Sequence, residues 1–301
     1  MLRSAHPAAT DPAAIDPADI LRIAAFSDGD SGGNPAGVWI GDALPPAAQM
    51  QALAHAIGFS ETAFAAPQDT AAGGGKAWRV RYFSPESEVP FCGHATIALG
   101  AALARRFGDG RYDLALNAAA ISVEGRVEGA RVAASLQSPP TRSGPAPGAL
   151  VEAALALFGY TRADLDERIP PALAHGGADH LVLALNSRAA LARMAYELDA
   201  GRRLMNAHGL VTVVLAWAET PQRFHTRNPF ASGGVLEDPA TGAGTAALAG
   251  YLRDLGWPHG GHIDVVQGED MGMRSRLGAD IPPEPGASIR VSGSARTMST
   301  T

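Results

Sequence analysis

Two helical stretches built almost wholly from small and aliphatic residues set the strongest constraint on how this chain folds. GHATIALGAALARRFG begins at Gly93, and AGTAALAGYLRDLG begins at Ala243. Setting Gly93 against Gly242, close to half the chain apart, brings Thr96 onto Thr245, Ala98 onto Ala247 and Leu103 onto Leu252. Each stretch follows a proline-bearing loop that begins after an aromatic-bearing segment, Tyr82 and Phe83 in one case and Phe224 in the other. An internal duplication accounts for the match: two similar lobes, each a β-barrel or roll wound around one helix. Ala and Gly are the residues such an enclosed helix needs where sheet backbone comes close.

The flanking segments fit an α+β fold. Alternating apolar residues predict strands at 19–26, 38–40, 59–65 and 77–83, with a hairpin turn at Gly73–75. Helical spacing runs over 45–57 with Gly58 as its stop. Strands follow the first small-residue helix at 112–116, 120–123 and 130–136. SPPTRSGPAPG, 138–148, has the composition of a linker. Beyond it come a helix at 151–158, a strand at 180–185, a helix at 187–206 and a strand at 210–217, then the second small-residue helix and closing strands. The expected organisation is a mobile tail over 1–18, a first lobe over 19–139 and a second lobe over 148–287.

Composition narrows the function classes. With 46% apolar and 18% charged residues, 301 residues can bury one large core or two ordinary ones. The net charge of -6, with scattered basic residues, argues against a nucleic-acid partner. Cys92 is the single cysteine, so neither an intrachain disulfide nor a multi-cysteine metal site can form. The first eighteen residues lack the apolar run of a signal peptide, and no window reaches the ~18 apolar residues of a membrane helix. A cytoplasmic protein is the expectation.

The chemistry concentrates at the two helix starts. Each presents unpaired amides and the positive end of a helix dipole, preceded by glycine so that a ligand can approach. If the lobes face each other, Gly93–His94 and Gly242–Gly244 flank one cleft that favours a carboxylate, each end adding about 0.3–1 kcal/mol. The competing reading is that these glycines only permit tight helix–sheet packing. GAGTAA at 242–247 also fits a dinucleotide-binding fingerprint with Asp264 beyond it. Against that, the Pro239-bearing EDPAT before it is no strand, and Asp264 sits inside one.

Glu61, in FSETAF, is an acid within an otherwise apolar strand. It is either a half-buried general acid/base with a raised pKa or a strand glutamate facing water. His94 is either a cap or a proton carrier, Asp238 either a helix cap or a functional acid, and Cys92 either a small core residue or a nucleophile.

Together these segments resemble the PhzF-like family, named for phenazine biosynthesis, a branch of the diaminopimelate-epimerase fold. The matching stretches are FSDGDSGGNPAGV (26–38), GFSETAF (58–64), RYFSPESEVPFCGHAT (81–96) and RNPFASGGVLEDPATGAGTAAL (227–248). QGEDMGMRS (267–275) and the terminal VSG (291–293) fit the closing strands, so the match runs in order from about residue 19 to 295.

The resemblance implies two pseudo-symmetric lobes with the active site between them and a last strand, near 288–295, that returns to the first lobe. It implies catalytic roles for Glu61, which shuttles a proton, and for His94 and Asp238, which position the substrate and assist. Backbone amides at Gly93, Gly242, Ala243 and Gly244 would hold the substrate carboxylate, with Ser60 and Asn34 adding contacts. It further implies an isomerase without metal or organic cofactor, a small carboxylate as partner, and a homodimer. The founding member isomerises a dihydro-hydroxyanthranilate. One departure stands out: the family often carries Ser after the TG, where this chain has Ala243 followed by Gly244 and Thr245. Two alternatives remain open at this point: a racemase or epimerase with a mixed Cys92/Asp238 pair, and a non-catalytic small-anion-binding protein on the same scaffold.

Overall fold

The computed structural model describes residues 15–68, 77–129 and 131–299. The turn expected at Gly73–75 lies outside the described residues, as do residues 1–14 of the expected tail.

The first lobe contains β1 (Leu21–Ala25), β2 (Asn34–Ile40), α1 (Ala47–Ile57), β3 (Thr62–Pro67), β4 (Ala77–Phe83), β5 (Glu88–Val89), α2 (Gly93–Phe107), β6 (Gly110–Ala115), β7 (Ala120–Glu128) and β8 (Arg131–Pro140). The second contains β9 (Arg142–Pro145), α3 (Gly148–Phe158), β10 (Ala172–His175), β11 (Asp179–Ala184), α4 (Arg188–Ala192), α5 (Leu198–Ala207), β12 (Thr212–Thr220), β13 (Arg223–Phe230), β14 (Val235–Asp238), α6 (Gly242–Leu255), β15 (His262–Gln267) and β16 (Ser275–Asp280). The closing strand β17 (Ser288–Thr297) joins both.

The two lobes repeat one succession of pairings. In the first, β1–β2 is antiparallel, β2–β3 parallel, β3–β4 antiparallel, β4–β6 parallel, and β6–β7 and β7–β8 antiparallel. In the second, β10–β11 is antiparallel, β11–β12 parallel, β12–β13 antiparallel, β13–β15 parallel, and β15–β16 and β16–β17 antiparallel. The last strand pairs with β8 and with β1, which closes the first barrel, and with β16, which ties it to the second. The fold is α+β, of the diaminopimelate-epimerase-like type.

Each barrel encloses one small-residue helix, and the glycines explain how closely. A methyl added at Gly125 of β7 would sit 2.5 Å from the carbonyl oxygen of Gly100 in α2. One added at Gly176 would sit 2.5 Å from the Ala247 nitrogen in α6. Both helices are buried along nearly their whole length against the shared core. Gly58 ends α1 in the left-handed region at φ 71°, the conformation its position predicts.

Several expectations are corrected. Residues 138–148 are not a linker: β8 runs to Pro140, and β9 pairs with β10. The helix expected over 187–206 is two helices. Ser187 caps α4 and the Glu197 carboxylate caps α5, while Arg227 donates to the carbonyls of Ala192 and Met194 and holds the chain open between them. Glu61 precedes β3 and does not lie inside it. Residues 15–18 of the expected tail are fixed to the first lobe: Ile15 packs against the cluster that contains Met50 and Phe64, and Asp16 caps the turn Pro17–Asp19.

Candidate active site

The two small-residue helices meet head to head. Gly93 and Gly242 are the first residues of α2 and α6, and a methyl added at Gly93 would sit 3.6 Å from the Gly242 Cα. Their first amides have no carbonyl one turn back to bond. Both starts line one cleft of about 490 Å³, walled by Glu61, Phe91 and His94 from the first lobe and by Phe230, Asp238 and Ala243 from the second. A concave site with apolar walls and a few convergent polar groups is the usual form of a small-molecule site.

Glu61 is placed by the backbone just ahead of β3, where its carbonyl accepts from Gly37. It is buried at 9% exposure, which removes the water-facing reading. Its Oε2 lies 3.3 Å from His94 Nε2, an ion-pair separation whose angle does not make a hydrogen bond. That oxygen is therefore buried with no donor among the described residues. Ser60 Oγ lies 3.3 Å from the same His94 nitrogen. On the other side of the ring, Nδ1 is 3.3 Å from Cys92 Sγ. Burial, reinforced by the Glu61 charge, pushes the Cys92 thiol well up. The thiol then keeps its hydrogen.

Asp238 ends β14 and is held on every side. Asn34 Nδ2 donates to Oδ1 at 2.7 Å, and Thr241 Oγ1 donates to Oδ2 at 2.5 Å. Gln267, itself fully buried, donates from Nε2 to the Asp238 carbonyl at 2.6 Å and accepts from the Thr241 amide at 3.1 Å. Burial pushes the Asp238 carboxyl up to about 6; His94 and the two donors pull it down, and the Glu61 charge adds to the rise. An acid poised there can hold or release a proton near neutral pH.

The loops that carry these residues are braced alike in both lobes. Arg81 of β4 forks onto Glu88 of β5, with contacts of 2.7 and 2.5 Å. Arg227 of β13 forks onto Glu237 of β14, with contacts of 3.0 and 2.5 Å. The two pairs stand at matching points of the repeat, each just ahead of its helix.

The structure thus gathers Glu61, His94 and Asp238, with Gly93, Gly242 and Ala243, around one cleft, and sets Ser60 against His94. It does not place the other two in the lining. Asn34 is spent on Asp238 and on the Ala240 carbonyl, at 3.0 Å. Gly244 is packed under the helix, where an added methyl would meet Asn228 Nδ2 at 2.7 Å. Thr241 and Gln267 escaped the sequence reading; the QGE that opens at Gln267 carried a signal, but its partner lies across the fold. Among the described residues, the donor atoms of Glu61, Cys92 and His94 lie within 4.8 Å of one another, a set of types that a metal ion accepts. No helix is long and apolar enough to cross a membrane among the described residues.

The chain is similar to known proteins over most of its length. The family model described as phenazine biosynthesis-like protein, PhzC-PhzF, matches residues 23–301. The chain is 30% identical to the trans-2,3-dihydro-3-hydroxyanthranilate isomerase of Pseudomonas fluorescens, over 85% of this chain and 87% of that protein. It is 26% identical to an uncharacterized isomerase, YfhB, of Bacillus subtilis, over 91% and 94%. The crystal structure of a PhzF-family phenazine biosynthesis protein from Bacillus anthracis superposes with a TM-score of 0.80 at 20% identity, covering 93% of this chain and 96% of that one.

Proposed function

The chain belongs to the phenazine biosynthesis-like PhzC-PhzF family, and from that membership we propose an isomerase that moves a proton along a small unsaturated carboxylate with Glu61 as its one base. The observation that carries the reading is Glu61 Oε2: buried, without a hydrogen-bond partner among the described residues, and 3.3 Å from His94 Nε2 in the wall of the cleft. A carboxylate so placed is not committed to a structural hydrogen bond and is free to take a proton from carbon.

The substrate carboxylate is held by the amides at Gly93, Gly242 and Ala243, where the two helix dipoles converge. Glu61 removes a proton from a carbon acidified by conjugation and returns it to a second carbon on the same face. Charge that spreads into the conjugated system during transfer is steadied by these amides and by the His94 ring. Asp238, poised near 6, exchanges a proton with a substrate oxygen when an enol becomes a ketone. Side chains supply every proton in this scheme. The homodimer is carried into this reading from the family resemblance alone.

A Cys92/Asp238 two-base racemase fits less well. It needs a thiolate, and burial beside Glu61 drives the thiol strongly the other way.

The test uses trans-2,3-dihydro-3-hydroxyanthranilate, the compound named in the Pseudomonas fluorescens relative, together with other unsaturated carboxylates in D₂O. Wild type should exchange or incorporate deuterium into a turned-over compound, and Glu61→Gln should not. Incorporation undiminished in Glu61→Gln rejects the role, and binding without any exchange by wild type favours the anion-binding alternative.

A further inference from the structure

The second-lobe wall of the cleft contains a polar atom that the proton transfer does not use. His180, on β11, is fully buried and lines the cleft together with Thr212, its partner across the parallel ladder to β12. His180 Nδ1 lies 2.8 Å from Thr212 Oγ1. When Nδ1 donates to that hydroxyl, the ring hydrogen sits there. Nε2 is then a bare acceptor, and it is buried with no partner among the described residues. Burial pushes this imidazole down to about 4, so the ring is neutral at neutral pH.

The surroundings say what could meet that lone pair. The helix starts take the carboxylate, and Phe91, Val211 and Phe230 line the cleft with apolar surface. The exposed Asp179 carboxylate, held by His175 and Arg142, also lines it and opposes a second anion. A neutral imidazole acceptor calls for a hydroxyl or amino donor.

We propose that His180 is a specificity-determining residue whose Nε2 accepts a hydrogen bond from a hydroxyl or amino group of the substrate, so that the cleft selects carboxylates bearing such a donor over those lacking it. This rests on the isomerase reading of the cleft and adds a second point of recognition to it. Sites built to hydrogen-bond a substrate group reject analogues without it, because the buried site atom is left unpaired.

The probes are 3-hydroxyanthranilate, anthranilate (no hydroxyl) and 3-hydroxybenzoate (no amine), with dissociation constants measured by calorimetry. Wild type should bind 3-hydroxyanthranilate about tenfold more tightly than at least one of the other two. His180→Phe should abolish that preference, and His180→Gln, whose amide keeps an acceptor, should retain part of it. Thermal unfolding of each variant establishes that it is folded, and Thr212→Val, which frees the ring hydrogen without removing the ring, should also weaken the preference. Three results overturn the proposal: a wild type without preference, a wild type that binds no probe at millimolar concentration, or a preference retained by either folded His180 variant lacking the imidazole at full strength, which would make Nε2 the seat of a water. The deuterium experiment on Glu61→Gln keeps the two readings apart, since it can succeed while this one fails.

Discussion

Asn34 donates from Nδ2 to Asp238 Oδ1 at 2.7 Å, although the two residues stand 204 positions apart, one in each lobe. The same nitrogen reaches the Ala240 carbonyl at 3.0 Å, so one side chain of the first lobe holds the turn that launches α6. Asn34→Ala leaves a buried carboxylate oxygen and a carbonyl short of a donor, at a cost of about 1–3 kcal/mol. A hydrogen bond to the ionised form lowers a carboxyl pKa, so its loss should move Asp238 above 6. Carbon-13 titration of the Asp238 carboxyl reads this directly; an unchanged or lowered midpoint would contradict it.

Asp238 and His180 bend the stability curve in opposite senses. The folded Asp238 carboxyl, at about 6, lies above its unfolded value of about 3.9; its contribution is intact below pH ~4 and lost as pH rises to 6. The folded His180 ring, at about 4, lies below its unfolded value of about 6.5; its contribution is intact above pH ~6.5 and lost as pH falls to 4. Each slope amounts to about 3 kcal/mol, and over pH 4 to 6 they offset each other. Asp238→Asn should therefore lose stability on acidification relative to wild type, and His180→Phe should gain it. Urea unfolding at a series of pH values would show the two curves diverging; parallel curves would disprove the assignment.

Much of this was legible in the chain. Gly93 and Gly242 do open the two buried helices, and β4 spans Ala77–Phe83 as its alternation predicts, because glycine, small-residue content and alternation are local signals. What could not be read depends on contacts across the fold. Asn34 looks like a cleft residue in its motif, and only the meeting of the lobes turns it onto Asp238. Prolines 140 and 145 suggest a linker, yet each ends a strand, where its missing donor breaks little of the ladder. His180 stands in an apolar strand like a core residue, and its unpaired nitrogen becomes visible only once the strand has neighbours.

The two bracing ion pairs differ in depth, and their worth should follow. The Arg227 and Glu237 side chains are 11% and 6% exposed, against 22% and 27% for Arg81 and Glu88. Removing one partner of a buried pair leaves the other charge undercompensated; with Asp270 still 3.9 Å from Arg227, Glu237→Gln should cost about 3 kcal/mol. Glu88→Gln should cost about 1 kcal/mol or less. Urea unfolding at neutral pH compares them. Equal losses would mean that depth does not set their value.

Gly93 and Gly176 separate folding from binding. A methyl at Gly93 meets nothing closer than 3.6 Å, an ordinary contact, so Gly93→Ala should fold with nearly unchanged stability. That methyl nonetheless stands between the two helix starts, where a carboxylate must approach the amides, and should weaken carboxylate binding about tenfold or more. A methyl at Gly176 would lie 2.5 Å from the Ala247 nitrogen and 2.9 Å from the Ala243 carbonyl oxygen, both backbone atoms that cannot swing aside. Gly176→Ala should therefore cost about 1–3 kcal/mol by overpacking and push the start of α6 out of line with α2. Unfolding midpoints and calorimetric affinity for 3-hydroxyanthranilate, measured on both variants, should show binding lost without stability in the first and both lost together in the second. Full affinity in folded Gly93→Ala would place the carboxylate away from the paired helix starts.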